Sequence, residues 1–283
     1  MKIIFSRKGF DSTAGGFPSL IFPDNTLFSI PIPSNPSHCD YSKLAFKYRD
    51  EPIQNILNQV TKNKIRHDGP LTCDYTQAMQ GCHHDPMHFP ELNRFALGQT
   101  GNSESHLRNQ GVASGDIFLF YGWFRKVLKS NGSWMYDSNE KNIHLIWSCM
   151  TIDQPIKLDT SDQVSSARID FPFLNSHPHL ADGWSSLPNS VYLANKFSLS
   201  HFSINRCLTD VKTYGGRAQW RLPICFNQPQ AFSYLKEFRR EENEVVITYR
   251  GYGQEFVMDL DKVVSSDDQQ KIVQYTEEIA RSD

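Results

Sequence analysis

Gly111-Val112-Ala113-Ser114-Gly115-Asp116-Ile117-Phe118-Leu119-Phe120-Tyr121-Gly122-Trp123-Phe124 is the stretch on which the fold turns. Two glycines bracket a turn, an aspartate follows, and the apolar, aromatic run behind it is long enough for one buried strand. A turn feeding a buried strand in this way occurs in small β-barrels that present a pocket to a base or nucleotide. Just upstream, Gly98-Gln99-Thr100-Gly101-Asn102-Ser103-Glu104-Ser105-His106-Leu107 is rich in polar groups able to read a ligand.

Working outward, the chain of 283 residues is long enough for a sizeable core. Its 19 Phe and 11 Tyr favour strands over helices. The net charge of -2 shows no basic surplus, which argues against extended non-specific binding to duplex DNA. A single nucleotide, a flipped base or a short end stays compatible with it. The apolar run at Ile3-Ile4-Phe5 is too short for a signal peptide, and no stretch approaches the ~20 apolar residues of a membrane span. Cys39, Cys73, Cys82, Cys149, Cys207 and Cys225 have no framework spacing and read as thiols in a reducing cytoplasm.

Strands are expected at Lys2 to Phe5, Ile117 to Val127, Asn142 to Ile152, Val191 to Ala194, Gln219 to Leu222, Val245 to Thr248 and Gln254 to Asp259. Ile53, Ile56, Leu57 and Val60 fall at helical spacing within a helix from Pro52 to Lys64. Glu104 to Asn109 reads as a helical turn, Gln230 to Phe238 as a helix, and Asp267 to Ala280 as a final helix. Leu71 to Phe89 and most of Asp153 to Asn189 read as loop. Many short strands with few helices predict an α/β (α+β) fold. Its core is a mixed or antiparallel barrel-like sheet with helical decoration. No linker cuts the chain, so one domain over residues 1–283 is expected.

Three groups carry candidate chemistry. The loop after the first strand holds Ser6, Arg7, Lys8, Asp11, Ser12, Gly15 and Gly16. Glycine-turn amides and Arg/Lys side chains suit phosphate oxygens, and Asp11 can serve as base, nucleophile or ribose acceptor. The pattern is neither a Walker loop nor a dinucleotide fingerprint, and an ordinary polar turn is the plainer alternative. The second group is Cys73-Asp74 with Cys82-His83-His84-Asp85-Pro86 and His88. Soft and imidazole ligands this dense can hold zinc, but their spacing matches no standard zinc motif, so no metal is assigned. A histidine with Asp85 makes an acid/base pair instead, with His83 the first choice. In the third group, Gln99 and Asn109 can pair with a base edge, and His106 can move a proton. Tyr121 and Trp123 can stack a base, although aromatic residues in an apolar strand more often build core. His177-Pro178-His179 and the glycine-flanked Arg250-Gly251-Tyr252-Gly253-Gln254 are weaker features.

Taken together, several stretches resemble the nucleotide-modification-associated domain 3 family, from Lys2 to about Leu260. They are Ser6 to Ser12 with Gly15-Gly16, Cys82-His83 with Asp85-Pro86, His106-Leu107, Gly115-Asp116 to Phe124, and Gly253-Gln254-Glu255-Phe256. The family occurs in bacteria and phages, and the resemblance implies a role in modifying nucleic-acid bases without supplying a mechanism. The Gly115-Asp116 turn is also similar to that of the PUA and ASCH barrels, which implies a PUA/ASCH-like core. Met87-His88 follows Asp85-Pro86 where a further acidic residue is expected, so no carboxylate pair is assigned there.

The resulting expectation is a protein that binds a nucleotide, a modified base or nucleic acid and acts in nucleic-acid modification. Asp11, His83, Asp85 and His106 are the candidate catalytic residues. Ser6, Arg7, Lys8, Ser12, Gly15, Gly16, Gln99, Asp116, Tyr121, Trp123 and Gln254 are the candidate ligand-binding residues. A group-transfer or glycosidic-bond reaction suits that inventory. The alternatives are a non-catalytic reader of a modified base and a phage-type protein that sequesters a nucleotide signal. The sequence names no cofactor and no oligomeric state.

Overall fold

The computed structural model describes residues 1–34, 39, 41–62, 64–66, 72–74, 81–199, 201–235, 237–248 and 255–281, with backbone only for 64–66 and 72–74. Gln254, the Arg250 to Gly253 stretch and the side chains of Cys73 and Asp74 lie outside what is described. The fold is mixed α and β, with helices at Ile53–Val60, Gly101–Asn109, Ser161–Asp170 and Ser266–Ala280. None of the sheets formed by the described residues closes into a barrel.

The chain packs as two compact units. The larger comprises Met1–Arg7, Asp85–Tyr121 and His144–Asp283. At its centre, strand Lys2–Arg7 pairs in parallel with Ile117–Ser130 and antiparallel with Glu255–Asp259. Ile143–Thr151 and Lys196–Leu199 extend the same sheet on the far side of Ile117–Ser130. Side chains alternate across a strand, so Ile3 and Phe5 leave one face while Ile4 and Ser6 leave the other.

On the first face, Phe5 and Leu119 meet Trp220, Phe226 and Phe256 in an aromatic core. It is covered by strands Gln219–Pro223, Glu237–Arg240 and Glu244–Thr248 and by helix Ser266–Ala280, whose Ile272 and Ile279 are buried. On the second face, Ile4, Phe118 and Val257 meet Phe95, Leu97, Leu107 and Tyr192. The cover there is a sheet in the order Gln154–Lys157, Asn189–Ala194, Arg94–Thr100 and Met87–Phe89.

The smaller unit comprises Lys8–His84 and Gly122–Ile143. Its helix Ile53–Val60 buries Ile53, Ile56, Leu57 and Val60, the residues whose spacing predicts it. Phe22 stacks on Tyr48 with ring centroids 3.9 Å apart and meets Trp134 edge-on at 5.5 Å.

Several segments depart from expectation. Among the described residues of the segment Gln230 to Phe238, expected as a helix, none is helical. Ala231, Phe232 and Leu235 are buried along irregular chain, and Ser233 hydrogen-bonds the edge of Glu255–Asp259 before strand Glu237–Arg240 begins. The region 153–189, expected as loop, contains strand Gln154–Lys157 and helix Ser161–Asp170. Thr160 and Gln163 start that helix with a reciprocal capping box, which satisfies orphan amides of its first turn. Strands also form at Thr72–Asp74 and Met87–Phe89.

Cys39, Cys82, Cys149, Cys207 and Cys225 are thiols rather than disulfides. Among the described residues no helix is long and apolar enough to cross a membrane.

Candidate functional site

Ser6 and Glu255 are register partners on adjacent antiparallel strands, so both side chains leave the second face of the central sheet. The facing strand Arg94–Thr100 sends Phe95 and Leu97 toward that face, and Gln99 continues their period of two. The three polar side chains meet where the apolar contact between the sheets ends. Oε1 of Glu255 accepts Gln99 Nε2–H at 2.8 Å and Ser6 Oγ–H at 3.2 Å. Their exposures are 2%, 4% and 0%, so these two neutral side chains reach the carboxylate inside the unit. Burial of a charged oxygen is costly unless such donors are supplied.

Helix Gly101–Asn109 follows directly and brings His106 to the margin of this cluster. Its orientation is set by Glu104, which is wholly buried. Glu104 accepts from Arg108 Nε at 2.7 Å, Ser190 Oγ at 2.6 Å and Tyr192 Oη at 3.0 Å. Arg108 in turn grips Asp159 with two nitrogens at 2.7 and 3.0 Å. The helix is thereby fastened to strand Asn189–Ala194.

His106 Nε2 lies 3.0 Å from Ser233 Oγ, which also accepts the backbone N–H of Val257 at 3.1 Å. Tyr234, half exposed, stacks on the His106 ring at 4.3 Å. Burial lowers the His106 pKa below its ordinary value, and the negative charge of Glu255 partly opposes that shift. The imidazole is therefore neutral near pH 7 and able to take up a proton.

The expected site residues are distributed unevenly. Ser6, Gln99 and His106 come together around Glu255, which the sequence reading passes over in favour of its neighbour Gln254. Arg7 shares the face of Phe5, and its charge acts on His144. Asp116 is tied to the backbone, with Oδ1 accepting Lys2 N–H at 2.7 Å and Oδ2 accepting Ala113 N–H at 2.9 Å. Tyr121 is fully buried, edge-on to Trp220 at 5.0 Å. Asp85 belongs to another cluster of the larger unit, with His177 and His179.

The remaining expected residues belong to the smaller unit. Lys8, Ser12, Gly15 and Gly16 lie there, in a loop organised by Asp11. Asp11 Oδ1 accepts Thr13 N–H, Thr13 Oγ1–H and Ala14 N–H, each at 2.7 Å. The His83 N–H bonds to Ile32 O at 2.9 Å, and Trp123 Nε1–H donates to Asn142 Oδ1 at 2.9 Å.

Comparison with protein-family models matches residues 2–259 to nucleotide modification associated domain 3. No curated protein and no solved structure matches the chain.

Proposed function

Because the chain belongs to the nucleotide modification associated domain 3 family, we propose that it acts on nucleotides or nucleic-acid bases and holds them at the Glu255 cluster. The observation that carries this reading is the convergence of Gln99 and Ser6 on one buried carboxylate, with a neutral His106 beside it. A carboxylate so placed accepts hydrogen bonds from ring N–H or exocyclic amino groups of a base. It also stabilises positive charge developing on a sugar carbon. The imidazole supplies a proton acceptor. A group-transfer or glycosidic-bond reaction fits those two groups. On this reading residues 1–283 serve as one functional domain, and the Gly115-Asp116 turn is the PUA/ASCH-like element of a base-binding protein.

Tyr234 favours a second reading. Its half-exposed ring, already stacked on His106, offers a surface for a base, as a non-catalytic reader of a modified base requires.

Thermal unfolding against free nucleotides and modified nucleosides tests both. A ligand at a hundred times its Kd adds about 2.7 kcal/mol. Loss of that gain in Glu255→Gln, with Tyr234→Ala mild, supports the enzyme. Loss in Tyr234→Ala alone supports the reader. Equal gain in both variants and the native chain removes the cluster from consideration.

A further inference from the structure

Ser233 stands at the margin of the Glu255 cluster with its hydroxyl fixed in place. Its backbone N–H donates to Val257 O at 2.9 Å, and its Oγ accepts the Val257 N–H at 3.1 Å. The oxygen is thereby clamped to strand Glu255–Asp259, two positions along from Glu255. With one lone pair taken by that amide, the hydroxyl turns its hydrogen elsewhere. Among the described residues the acceptor in reach is His106 Nε2, 3.0 Å away. Ser233 is half-buried and its neighbour Tyr234 half exposed, so the pair lies at the surface of the unit.

An alcohol and an imidazole at about 2.6–3.2 Å make a nucleophile and its base, provided the base is held. Here the ring is held twice. Glu104 and Arg108 fasten helix Gly101–Asn109 to strand Asn189–Ala194, and the Tyr234 ring stacks on His106 at 4.3 Å. The Tyr234 N–H, next along the chain, makes no hydrogen bond among the described residues and stays available to a developing oxyanion. Glu255 selects the electrophile. Its charge reaches His106, where it stabilises the imidazolium formed when the serine gives up its proton. The same charge repels an incoming phosphate, whereas an uncharged carbonyl meets no such repulsion.

We infer that Ser233 is the nucleophile of an acyl-transfer step at this site, an inference that rests on the Glu255 reading. The electrophile is an uncharged acyl carbon, an ester or amide carbonyl carried by a nucleoside. The bond from Ser233 Oγ to that carbon forms as the hydroxyl proton passes to His106 Nε2. The bond from the carbon to its leaving oxygen or nitrogen then breaks, and the leaving group departs with the proton from His106. An amine or water attacks the acyl-serine by the same steps in reverse, which passes the acyl group on or hydrolyses it.

The test exposes the full chain, without nucleotide, to a fluorophosphonate, a neutral phosphorus ester that captures activated serines. A single adduct is expected, placed at Ser233 by fragment mass spectrometry of the native protein. Ser233→Ala should remove it. His106→Gln, whose amide can still bond the hydroxyl, should slow capture about 10²–10⁴-fold. A serine that only holds Val257 in place would show neither effect. If Ser233→Ala does not fold, the adduct on the native chain decides. No adduct, an adduct at another residue alone, or capture at the native rate in His106→Gln overturns the assignment. The assay contains no nucleotide, so its failure is distinct from a failure of the melting shifts that test the Glu255 reading.

Discussion

Gln99 donates its side-chain Nε2–H to Oε1 of Glu255 at 2.8 Å, across the interface between two sheets and 156 positions apart in the chain. The bond does two things at once. It satisfies a buried carboxylate, and it ends the apolar contact at a defined point.

Gln99→Leu should therefore destabilise the chain by about 1–3 kcal/mol, because the buried carboxylate of Glu255 loses a donor. Urea unfolding of Gln99→Leu, Glu255→Gln and the double variant measures the coupling. A double variant whose loss equals the sum of the two single losses would show that the pair does not interact.

His144 provides a pH-dependent prediction. Burial, reinforced by the charges of Arg217 and Arg7, pushes its pKa down to about 3 from 6.5. Between those values the unfolded chain binds a proton that the folded chain refuses. Stability should fall with falling pH through that window, by up to about 1.4 kcal/mol per pH unit from this residue. His144→Gln, which still offers Trp220 Nε1 an acceptor for its 3.0 Å bond, should flatten the slope below pH 6.5 in urea melts. An unchanged slope would assign the acid sensitivity elsewhere.

Arg221 meets Asp210 through two nitrogens at 2.8 and 2.9 Å and also contacts Glu241 and Glu244. Asp210 is wholly buried, and the guanidinium holds its carboxyl well below the usual range. Arg221→Met strands that charge and should cost about 3–5 kcal/mol at neutral pH. The loss should shrink as acid protonates Asp210. Melting temperatures of native and variant chains across pH 3 to 7, roughly the span of an ordinary carboxylate and above, would reveal the convergence or its absence.

Gly98→Ala should cost about 1–3 kcal/mol, because the new methyl enters the His179 ring. The urea midpoint should drop with the slope m unchanged. An unshifted midpoint would mean the ring moves aside without penalty.

The sequence is informative where one face of an element decides its fate. Ile53, Ile56, Leu57 and Val60 mark their helix because only that stripe is buried, and Ile117 to Phe124 marks a strand because nearly all of it is. Arg94–Thr100 escapes because both its faces are buried and one carries only Ala96 and Gly98. Helix Ser161–Asp170 buries Ala167 alone, so periodicity is silent, although Thr160 and Gln163 spell its cap. Ala231, Phe232 and Leu235 imitate a helical stripe from irregular chain. For the site, Ser6, Gln99 and His106 are legible as polar residues beside apolar runs. Glu255 is not, since choosing it over Gln254 needs the register with Ser6, a pairing that spans 249 positions.

That span bears on how the chain comes to be folded during synthesis. Strand Lys2–Arg7 lies between Ile117–Ser130 and Glu255–Asp259 and finds its second neighbour only when residue 259 has left the ribosome. Counted from completion of Ile117–Ser130, the wait at ordinary elongation speeds is roughly six to twenty-six seconds. Throughout it, one edge of the central sheet shows unpaired N–H and C=O groups, an invitation to strands of other nascent chains. A ribosome that stalls before Glu255 would release a chain with that edge open, so escape from aggregation depends on finishing the last strand promptly.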